Sequence, residues 1–283
     1  MTTFYEFQKR FPDNAACLEH LMKVRYGGTE IDCPKCGRHG RFYPMRTQLG
    51  YVCQHCGHHI HPCAGTFLHR THTPLHKWFF AMFLFSTSRH RVAAKELERQ
   101  LGVSYPTALR MAHLIRQHMM EVDGENPLDG NVEVDETYIG GRRKGSGRGY
   151  RKDRAVVMGM VERDGDVMAK VVPNVRRKTL EPIIRENVEA GSIVHTDELT
   201  SYQRLSQAGY THKTVKHSEG EYVNGDSHVN AVEGFWSRLK NSIRGTHVHV
   251  SKKHLEKYVK EFEYRYNRRK VPHRILADLL AQF

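Results

Sequence analysis

The chain has 283 residues and a formal net charge of +13, from 44 Lys and Arg against 31 Asp and Glu. A positive surplus of this size indicates a polyanionic partner, either nucleic acid or an anionic membrane surface. The longest strongly apolar run, Trp78 to Phe85, is far shorter than the roughly 20 residues of a membrane span, and the N-terminus lacks the apolar region of a signal peptide. We therefore expect a basic cytoplasmic protein of about two domains, without a membrane partner.

A helix is predicted to open at Asp13, in a first segment that covers residues 1–28. It contains Cys17, which we interpret as a small buried apolar side chain. The next segment, residues 29–66, contains the pairs Cys-Pro-Lys-Cys-Gly and Cys-Gln-His-Cys-Gly, with sixteen residues between them. This spacing is typical of a zinc ribbon that binds one structural Zn²⁺ through four thiolates. The predicted ligands are Cys33, Cys36, Cys53 and Cys56.

Other chemistries fit paired cysteines. The alternatives are a disulfide pair, a redox site and a rubredoxin-like iron site. Disulfides are disfavoured in a reducing cytosol, and spacing alone does not exclude iron. One neighbour could replace a cysteine ligand, but we interpret the neighbours as surface residues. They are His55, His58, His59, His61 and Cys63.

A helix-turn-helix-like segment is predicted over residues 67–122. A buried helix at 74–88 is followed by a helix that Gly102 ends and by a second helix with Ser104 as its N-cap. This unit commonly places its second helix in the major groove, although an ordinary helical hairpin has the same pattern. The side chains near the leading end of the second helix would contact DNA, and they are Tyr105, Thr107 and Arg110.

The predicted elements of residues 128–250 follow the order of an RNase H-like α/β core. Strands at 131–141, 155–161 and 166–172 precede a helix at 179–190 and a strand that ends on Asp197. In the first strand Val132 and Val134 would face one side, and Glu133 and Asp135 the other. A basic insert, RRKGSGRGYRKDR, follows this strand and would contact DNA. Its basic residues are Arg142, Arg143, Lys144, Arg148, Arg151, Lys152 and Arg154.

A third acid comes from a helix predicted at 228–244. Its apolar residues fall on one face, and an adjacent polar stripe carries Glu233 and, two turns later, Lys240. Two strand acids and one helix acid can converge on a site for two divalent cations, which suits in-line displacement at phosphorus. Each acid alone could equally be a solvated residue. We expect Glu133, Glu136 and Glu198 to tolerate replacement by Ala much better than the three acids.

The chain resembles the bacterial insertion-sequence DDE transposases of the ISXO-like group, which is related to eukaryotic Merlin elements. Asp197 and Glu233 are separated by thirty-five residues, as in the DD35E signature of transposases and retroviral integrases, and Lys240 follows seven residues later. Some relatives carry Asn in place of the third acid, and in this sequence Asn230 stands near Glu233. The similar stretches are the two CxxCG pairs, AGTFLHRTHTPLHKWFFAMF (64–83), LGVSYPTALRM (101–111), VEVDETYIGG (132–141), VHTDELTSY (194–202), HVNAVEGFWSRLKNSIRGTH (228–247) and EFEYRYNRRK (261–270).

The resemblance implies a transposase that cleaves the ends of its element and joins the 3′-hydroxyls to target DNA. Asp135, Asp197 and Glu233 would hold two Mg²⁺ or Mn²⁺ ions, and Lys240 would contact DNA. The expected partner is double-stranded DNA, bound by a homodimer or higher oligomer at the nucleoid. A zinc-ribbon and helix-turn-helix regulator, or a nuclease of related fold that does not join DNA, is the alternative. A C-terminal helical segment, 251–283, completes the predicted organisation.

Overall fold

The computed structural model describes residues 3–88, 91–123, 126–140, 154–215, 229–247 and 250–283. The chain divides into two compact units, of which the first comprises Met1–His118 with Val271–Phe283 and the second comprises Met119–Lys270. Within the described ranges, no helix combines the length and the apolar character that a membrane crossing requires.

Helices and strands alternate in blocks along the chain. The described residues form nine α-helices: α1 (Phe4–Arg10), α2 (Asn14–Tyr26), α3 (Leu75–Thr87), α4 (Ala94–Leu101), α5 (Tyr105–Asp123), α6 (Arg177–Asn187), α7 (Asn230–Ser242), α8 (Lys252–Asn267) and α9 (Ile275–Ala281). The same residues form nine strands: β1 (Glu30–Asp32), β2 (His39–Pro44), β3 (Tyr51–Cys53), β4 (His59–Ile60), β5 (Asn131–Ile139), β6 (Ala155–Glu162), β7 (Val167–Val172), β8 (Ile193–Thr196) and β9 (Thr211–Thr214). A π-helical turn, Ile243–His247, continues α7.

The first unit contains a small antiparallel sheet in the order β1-β2-β3-β4. Its apolar core consists of few side chains, chiefly Phe42, Tyr51 and Ile60. A core of this size does not fold without a further constraint, and the four cysteines on and beside its strands provide one.

Helices make up the rest of the first unit. The predicted start of α2 is confirmed, because the Asp13 side chain accepts a hydrogen bond of 2.9 Å from the amide of Ala16. Helices α2 and α9 both pack on α3, whose Trp78 and Phe79 are fully buried. This packing explains why the run from Trp78 to Phe85 is so apolar.

The helix, glycine turn and second helix predicted near residue 102 are confirmed. Helix α4 ends at Gly102, which adopts the left-handed conformation with φ 57°, and α5 begins three residues later. Leu109 and Leu114 of α5 are only half-buried. The residues of α5 that fill the core of the first unit are Ala108, Met111, Ala112 and Ile115.

The second unit is built on a five-stranded sheet in the order β7-β6-β5-β8-β9. Strands β5, β6 and β7 form an antiparallel meander, and a turn at Arg163-Asp164-Gly165 joins the last two. Strands β8 and β9 are parallel to β5. This mixed sheet, with a helix between β7 and β8, is the RNase H-like core expected from the sequence.

Helices cover both faces of this sheet. Because side chains alternate along a strand, the even-numbered residues Val132 and Val134 of β5 pack with Leu180 and Ile184 of α6. The opposite face packs against α7 and α8. Buried residues on that face are Ile139, Val157, Val161, Val232, Phe235, Trp236, Leu239, Leu255, Val259 and Phe262.

Side chains of α8 close the outer edge of the sheet. The amides of Val167, Ala169 and Val171 in β7 donate hydrogen bonds of 2.8 Å to Asn267, Glu263 and Glu256, respectively. Burial raises the pKa of the Glu263 carboxyl to about 7. An edge strand that has its amides satisfied in this way does not pair with another chain. The C-terminal segment 251–283 is therefore divided between the two units. Helix α8 packs on the sheet of the second unit, and Val271–Phe283 belongs to the first unit.

Candidate active site

Two of the predicted acids lie at neighbouring positions of the sheet. Asp135 stands on β5, and Asp197 directly follows β8. The two strands are parallel, with Glu133 beside His195, so the same register carried two residues further brings Asp197 beside Asp135. Val134 and Val194 both belong to the core under α6, and alternation therefore turns both acids toward the face that α7 covers.

The third predicted acid stands on the helix over that face. Glu233 lies one turn into α7, on its exposed side, whereas Val232, Phe235 and Trp236 are buried against the sheet. The apolar face predicted for this helix is thus confirmed. Asn230, the alternative third ligand, is the first residue of α7 and is also exposed.

Electrostatics link these acids. Burial raises the pKa of the Asp135 carboxyl to about 6, and the charges of Asp197 and Glu233 act in the same direction. Burial likewise raises the pKa of Glu136 to about 7, with contributions from Asp135 and Asp197. In the described part of the chain, however, only the four cysteines bring three or more ligand atoms within 4.8 Å of one another. The charges of Asp197 and Glu233 therefore act on the pKa of Asp135, although no three of these described acids bring oxygen atoms within that distance of one another.

Trp236 contacts Asp135 directly. Its indole N–H donates a hydrogen bond of 2.9 Å to Oδ2 of the carboxylate. In the sequence, Trp236 is only one of several apolar residues on the helix face, and nothing in the pattern indicates that its polar atom meets an acid.

Glu133 has a structural role that the sequence does not indicate. The side chain is fully buried, and its Oε2 accepts hydrogen bonds from the amides of Ala231 (2.7 Å) and Val232 (3.2 Å) at the start of α7. Its Oε1 accepts a hydrogen bond of 2.9 Å from Nε of Arg163. Glu133 therefore anchors the helix that carries Glu233 to the strand that carries Asp135. Replacement of Glu133 by Ala would remove the acceptor of these two amides and of the Arg163 guanidinium, so we expect it to cost stability, whereas its effect on cleavage stays a prediction.

Glu136 points to the opposite face of β5 and accepts a hydrogen bond of 2.7 Å from the hydroxyl of Tyr202. Burial raises the pKa of Tyr202, and the charge of Glu136 adds to the effect. The Glu136 carboxylate, which Tyr202 holds, thus follows Asp135 in the sequence but lies on the other face of β5.

Lys240 lies two turns after Glu233 on α7 and is half-buried. Burial lowers the pKa of its ammonium group, while the negative charge of Asp135 opposes that change. The charge of Asp135 therefore acts on Lys240, and the DNA contact of this residue stays a prediction.

Residues predicted to contact DNA fall into two groups. On α5, Tyr105 and Arg110 are exposed and Thr107 is half-buried, with its hydroxyl 3.0 Å from that of Ser104. In the basic insert, Arg154 is exposed. The other insert residues lie outside the described residues, and they are Arg142, Arg143, Lys144, Arg148, Arg151 and Lys152.

The four ribbon cysteines form one metal site. Their ligand atoms lie within 4.8 Å of one another, and Sγ of Cys33 and Cys56 are 3.6 Å apart. Thiolates about 2.3 Å from a tetrahedral ion are separated by about 3.8 Å, which is close to this value. Each pair forms the same turn, because the amides of Gly37 and Gly57 donate to the carbonyls of Cys33 and Cys53 with both glycines in the left-handed conformation. The predicted ribbon ligands therefore converge.

The remaining cysteines are buried thiols outside this cluster. Burial raises the pKa of Cys17 to about 12 and that of Cys63 to about 11, which keeps both protonated. Cys17 is thus the predicted buried residue, whereas the interpretation of Cys63 as a surface residue is wrong. His55 and His59 are exposed, and His58 and His61 are half-buried.

Comparison with known proteins identifies the family. Residues 127–267 match the ISXO2-like transposase domain, and residues 12–59 match the transposase zinc-ribbon domain. An uncharacterized transposase-like protein of Haemophilus influenzae is 36% identical over 109 residues, which cover 38% of this chain and 87% of that protein. An uncharacterized protein in transposable element ISH50 of Halobacterium salinarum is 28% identical over 278 residues, which cover 91% of this chain and 92% of that protein.

Among solved structures, the Mos1 transposase paired-end complex with left transposon end matches over 71% of this chain and 78% of that chain. The sequence identity is 12% and the TM-score is 0.25.

The chain belongs to the ISXO2-like transposase family and is a DNA transposase with an N-terminal zinc ribbon. The family resemblance inferred from the sequence is thereby confirmed.

We predict that purified protein contains one zinc ion per chain and that Cys33→Ser with Cys36→Ser removes it. A small sheet that loses its metal also loses its fold. Elemental analysis and circular dichroism measure both effects, and Cys63→Ala is the matched control because this thiol is buried in the same unit outside the cluster. Bound iron, or a folded ribbon without any metal, would contradict the prediction.

We also predict that Glu133→Ala lowers the free energy of unfolding by about 3–5 kcal/mol, the usual cost of breaking a buried ion pair from one side. Urea denaturation measures the change. Glu198→Ala, at an exposed acid, serves as the control and changes stability by less than about 0.5 kcal/mol. Equal stabilities of the two variants would show that Glu133 does not anchor α7.

Proposed function

We propose that this transposase cleaves the ends of its insertion sequence and joins the resulting 3′-hydroxyls to target DNA, with Asp135, Asp197 and Glu233 as the catalytic acids. The single observation that supports this most strongly is the acid cluster on one face of the sheet. Asp135 on β5 lies next to the end of β8, and both Asp197 and Glu233 act on its charge. Family membership supports the class of reaction, and the cluster supports the choice of residues.

The donor set fits divalent cations. Asp135 is half-buried, and no Lys or Arg in the described residues forms an ion pair with any of the three acids. Carboxylates that share a site without a counter-charge repel one another, and their hard oxygen atoms suit Mg²⁺ or Mn²⁺. Asp135, Asp197 and Glu233 would hold two such ions. When bound, they would supply positive charge at the attacking and leaving oxygens of a phosphoryl transfer.

The reaction consists of two displacements at phosphorus. In cleavage, a water oxygen bonds to the phosphorus at the element end, the bond from phosphorus to the bridging 3′-oxygen breaks, and that oxygen becomes a hydroxyl. In joining, this hydroxyl attacks a target phosphodiester and displaces the target's 3′-oxygen. The protein contributes alignment and electrostatic stabilisation, which together account for most of the rate enhancement in such reactions.

DNA binding is assigned to the basic modules. We propose that Lys240 contacts a phosphate near the reacting bond, that Tyr105, Thr107 and Arg110 contact the element end, and that the insert binds the DNA backbone. Joining two element ends requires two active sites, which supports a homodimer or higher oligomer on DNA. In this proposal the five segments predicted from the sequence, with the ribbon at 29–66 and the catalytic core at 128–250, act as the functional domains.

We expect Asp135→Asn, Asp197→Asn and Glu233→Gln each to reduce cleavage and joining by at least about 10³-fold, because each removes a metal ligand and leaves the side-chain volume unchanged. Assays with labelled element ends and supercoiled target DNA measure both steps. Glu198→Gln is the matched control, as it removes the same charge one residue beyond Asp197.

The joining assay also separates the alternatives. A regulator would bind element ends without cutting them, and a nuclease would cut without joining. Near-normal cleavage by Glu233→Gln together with loss of cleavage by Asn230→Ala would transfer the role of third ligand to Asn230.

Lys240→Ala should reduce cleavage and joining strongly, with a small effect on DNA affinity, because the helix fixes this ammonium group beside the acids.

Neutralising Arg142, Arg143, Lys144 and Arg148 together should instead weaken binding to all DNA. It should also lower the slope of log affinity against log salt concentration by up to about four, since each lost phosphate contact lowers this slope by about one. Titrations at several salt concentrations measure the slope. Equal slopes for wild type and the fourfold variant would remove the insert from the interface.

A further inference from the structure

We propose that Trp236 is a positioning residue for Asp135, whose Oδ2 it holds by an indole hydrogen bond so that Oδ1 is left to bind a divalent cation. This inference rests on the proposed function, because it takes Asp135 as a metal ligand. It adds a residue that neither the sequence pattern nor the family match assigns to the site.

The hydrogen bond is well placed to fix the carboxylate. The distance from Nε1 to Oδ2 is 2.9 Å, and Trp236 is 4% exposed. The Phe235 ring packs edge-on against the indole, with centroids 5.1 Å apart. A buried, packed donor has little freedom to turn away, so the carboxylate orientation follows the indole.

Gly159 leaves the space that the indole of Trp236 occupies. This residue of β6 stands directly opposite Asp135, and a Cβ built on it would lie 2.5 Å from both Cζ2 and Cη2 of Trp236. Its backbone does not adopt a positive φ, so the conformation itself does not require glycine. The close approach of the ring does require it. Glycine, tryptophan and aspartate therefore form one unit across two strands and a helix.

The chemical consequence concerns metal binding. Partners that hydrogen-bond to a metal ligand fix its orientation, and their loss typically costs 10–100-fold in metal affinity or activity. A carboxylate with one oxygen engaged by an indole would bind through the other oxygen, and loss of the indole would leave the backbone amide of Glu136 as its remaining hydrogen-bond partner.

The test measures Mn²⁺ binding by the zinc-loaded full chain, using electron paramagnetic resonance, without DNA. We expect Trp236→Phe to raise the dissociation constant at least about 10-fold, since it keeps an apolar ring and removes the donor. The control is Trp78→Phe. Trp78, the other of the two tryptophans, is also buried, but its N–H donates to the hydroxyl of Thr71 at 2.8 Å. The control should bind Mn²⁺ like wild type.

A second variant covers the case in which Trp236→Phe does not fold. Gly159→Ala keeps the indole but forces it to move, and it should also weaken Mn²⁺ binding. In the Trp236→Phe background the same change should add little, because phenylalanine lacks the two atoms that the methyl group would meet.

Nuclear magnetic resonance provides a further readout. Only one of the two indole N–H resonances should shift when Mg²⁺ is added, and the spectrum of Trp78→Phe assigns that resonance to Trp236.

The outcomes separate this inference from the proposed function. If Asp135→Asn binds Mn²⁺ as wild type does, the proposed metal site itself is wrong. If Asp135→Asn loses binding while Trp236→Phe or Gly159→Ala keeps wild-type affinity, the site stands and the positioning role of Trp236 is refuted.

Discussion

The buried carboxylate of Glu133 is the interaction on which the proposed site depends. It satisfies two amides at the start of α7 and the guanidinium of Arg163 at once, so it joins the helix to the central strand at a defined point. A negative group at a helix N-terminus is also favoured by the helix dipole. Because Glu133 fixes where α7 begins, it fixes where Glu233 and Trp236 lie relative to Asp135. Its buried charge is tolerated because all of its partners are in place.

The alternation of β5 divides the roles of its acids. Glu133 and Asp135 face α7, whereas Glu136 faces the opposite side and binds Tyr202. A slip of one residue in the pairing of β5 would exchange these faces and separate Asp135 from the helix. The register is held on one side by a long antiparallel pairing with β6 and on the other by the parallel pairing with β8. Hydrogen bonds from β7 amides to side chains of α8 close the outer edge of β7.

The charge distribution fits a DNA-processing role in which binding and chemistry use opposite signs. The chain has a net charge of +13, yet the negative charges of Asp197 and Glu233 act on Asp135, and those of Asp135 and Asp197 act on Glu136. Basic residues attract the DNA backbone at long range, while a carboxylate cluster repels phosphate. In the proposed function, bound cations reverse the sign of the site, and Lys240 adds a fixed positive charge beside it. The raised pKa of Asp135 reflects its burial first and the negative charges of Asp197 and Glu233 second.

The zinc ribbon and the order of β5 to β8 with their helices could be predicted from the sequence, because cysteine spacing, alternation and helical periodicity are local properties of the chain, and the family followed from the resemblance of its motifs. Strand β9, with only four residues, was not predicted. The shared face of Asp135 and Glu133 was predictable from alternation. What those side chains do on that face was not. Four features depend on contacts between residues from about 77 to 101 positions apart. They are the capping of α7 by Glu133, the hydrogen bond from Trp236 to Asp135, the space that Gly159 leaves for the indole, and the closing of an edge strand by α8. A periodic pattern specifies which side of an element is buried, but the partner that a polar atom meets on that side is set by the packing of distant elements.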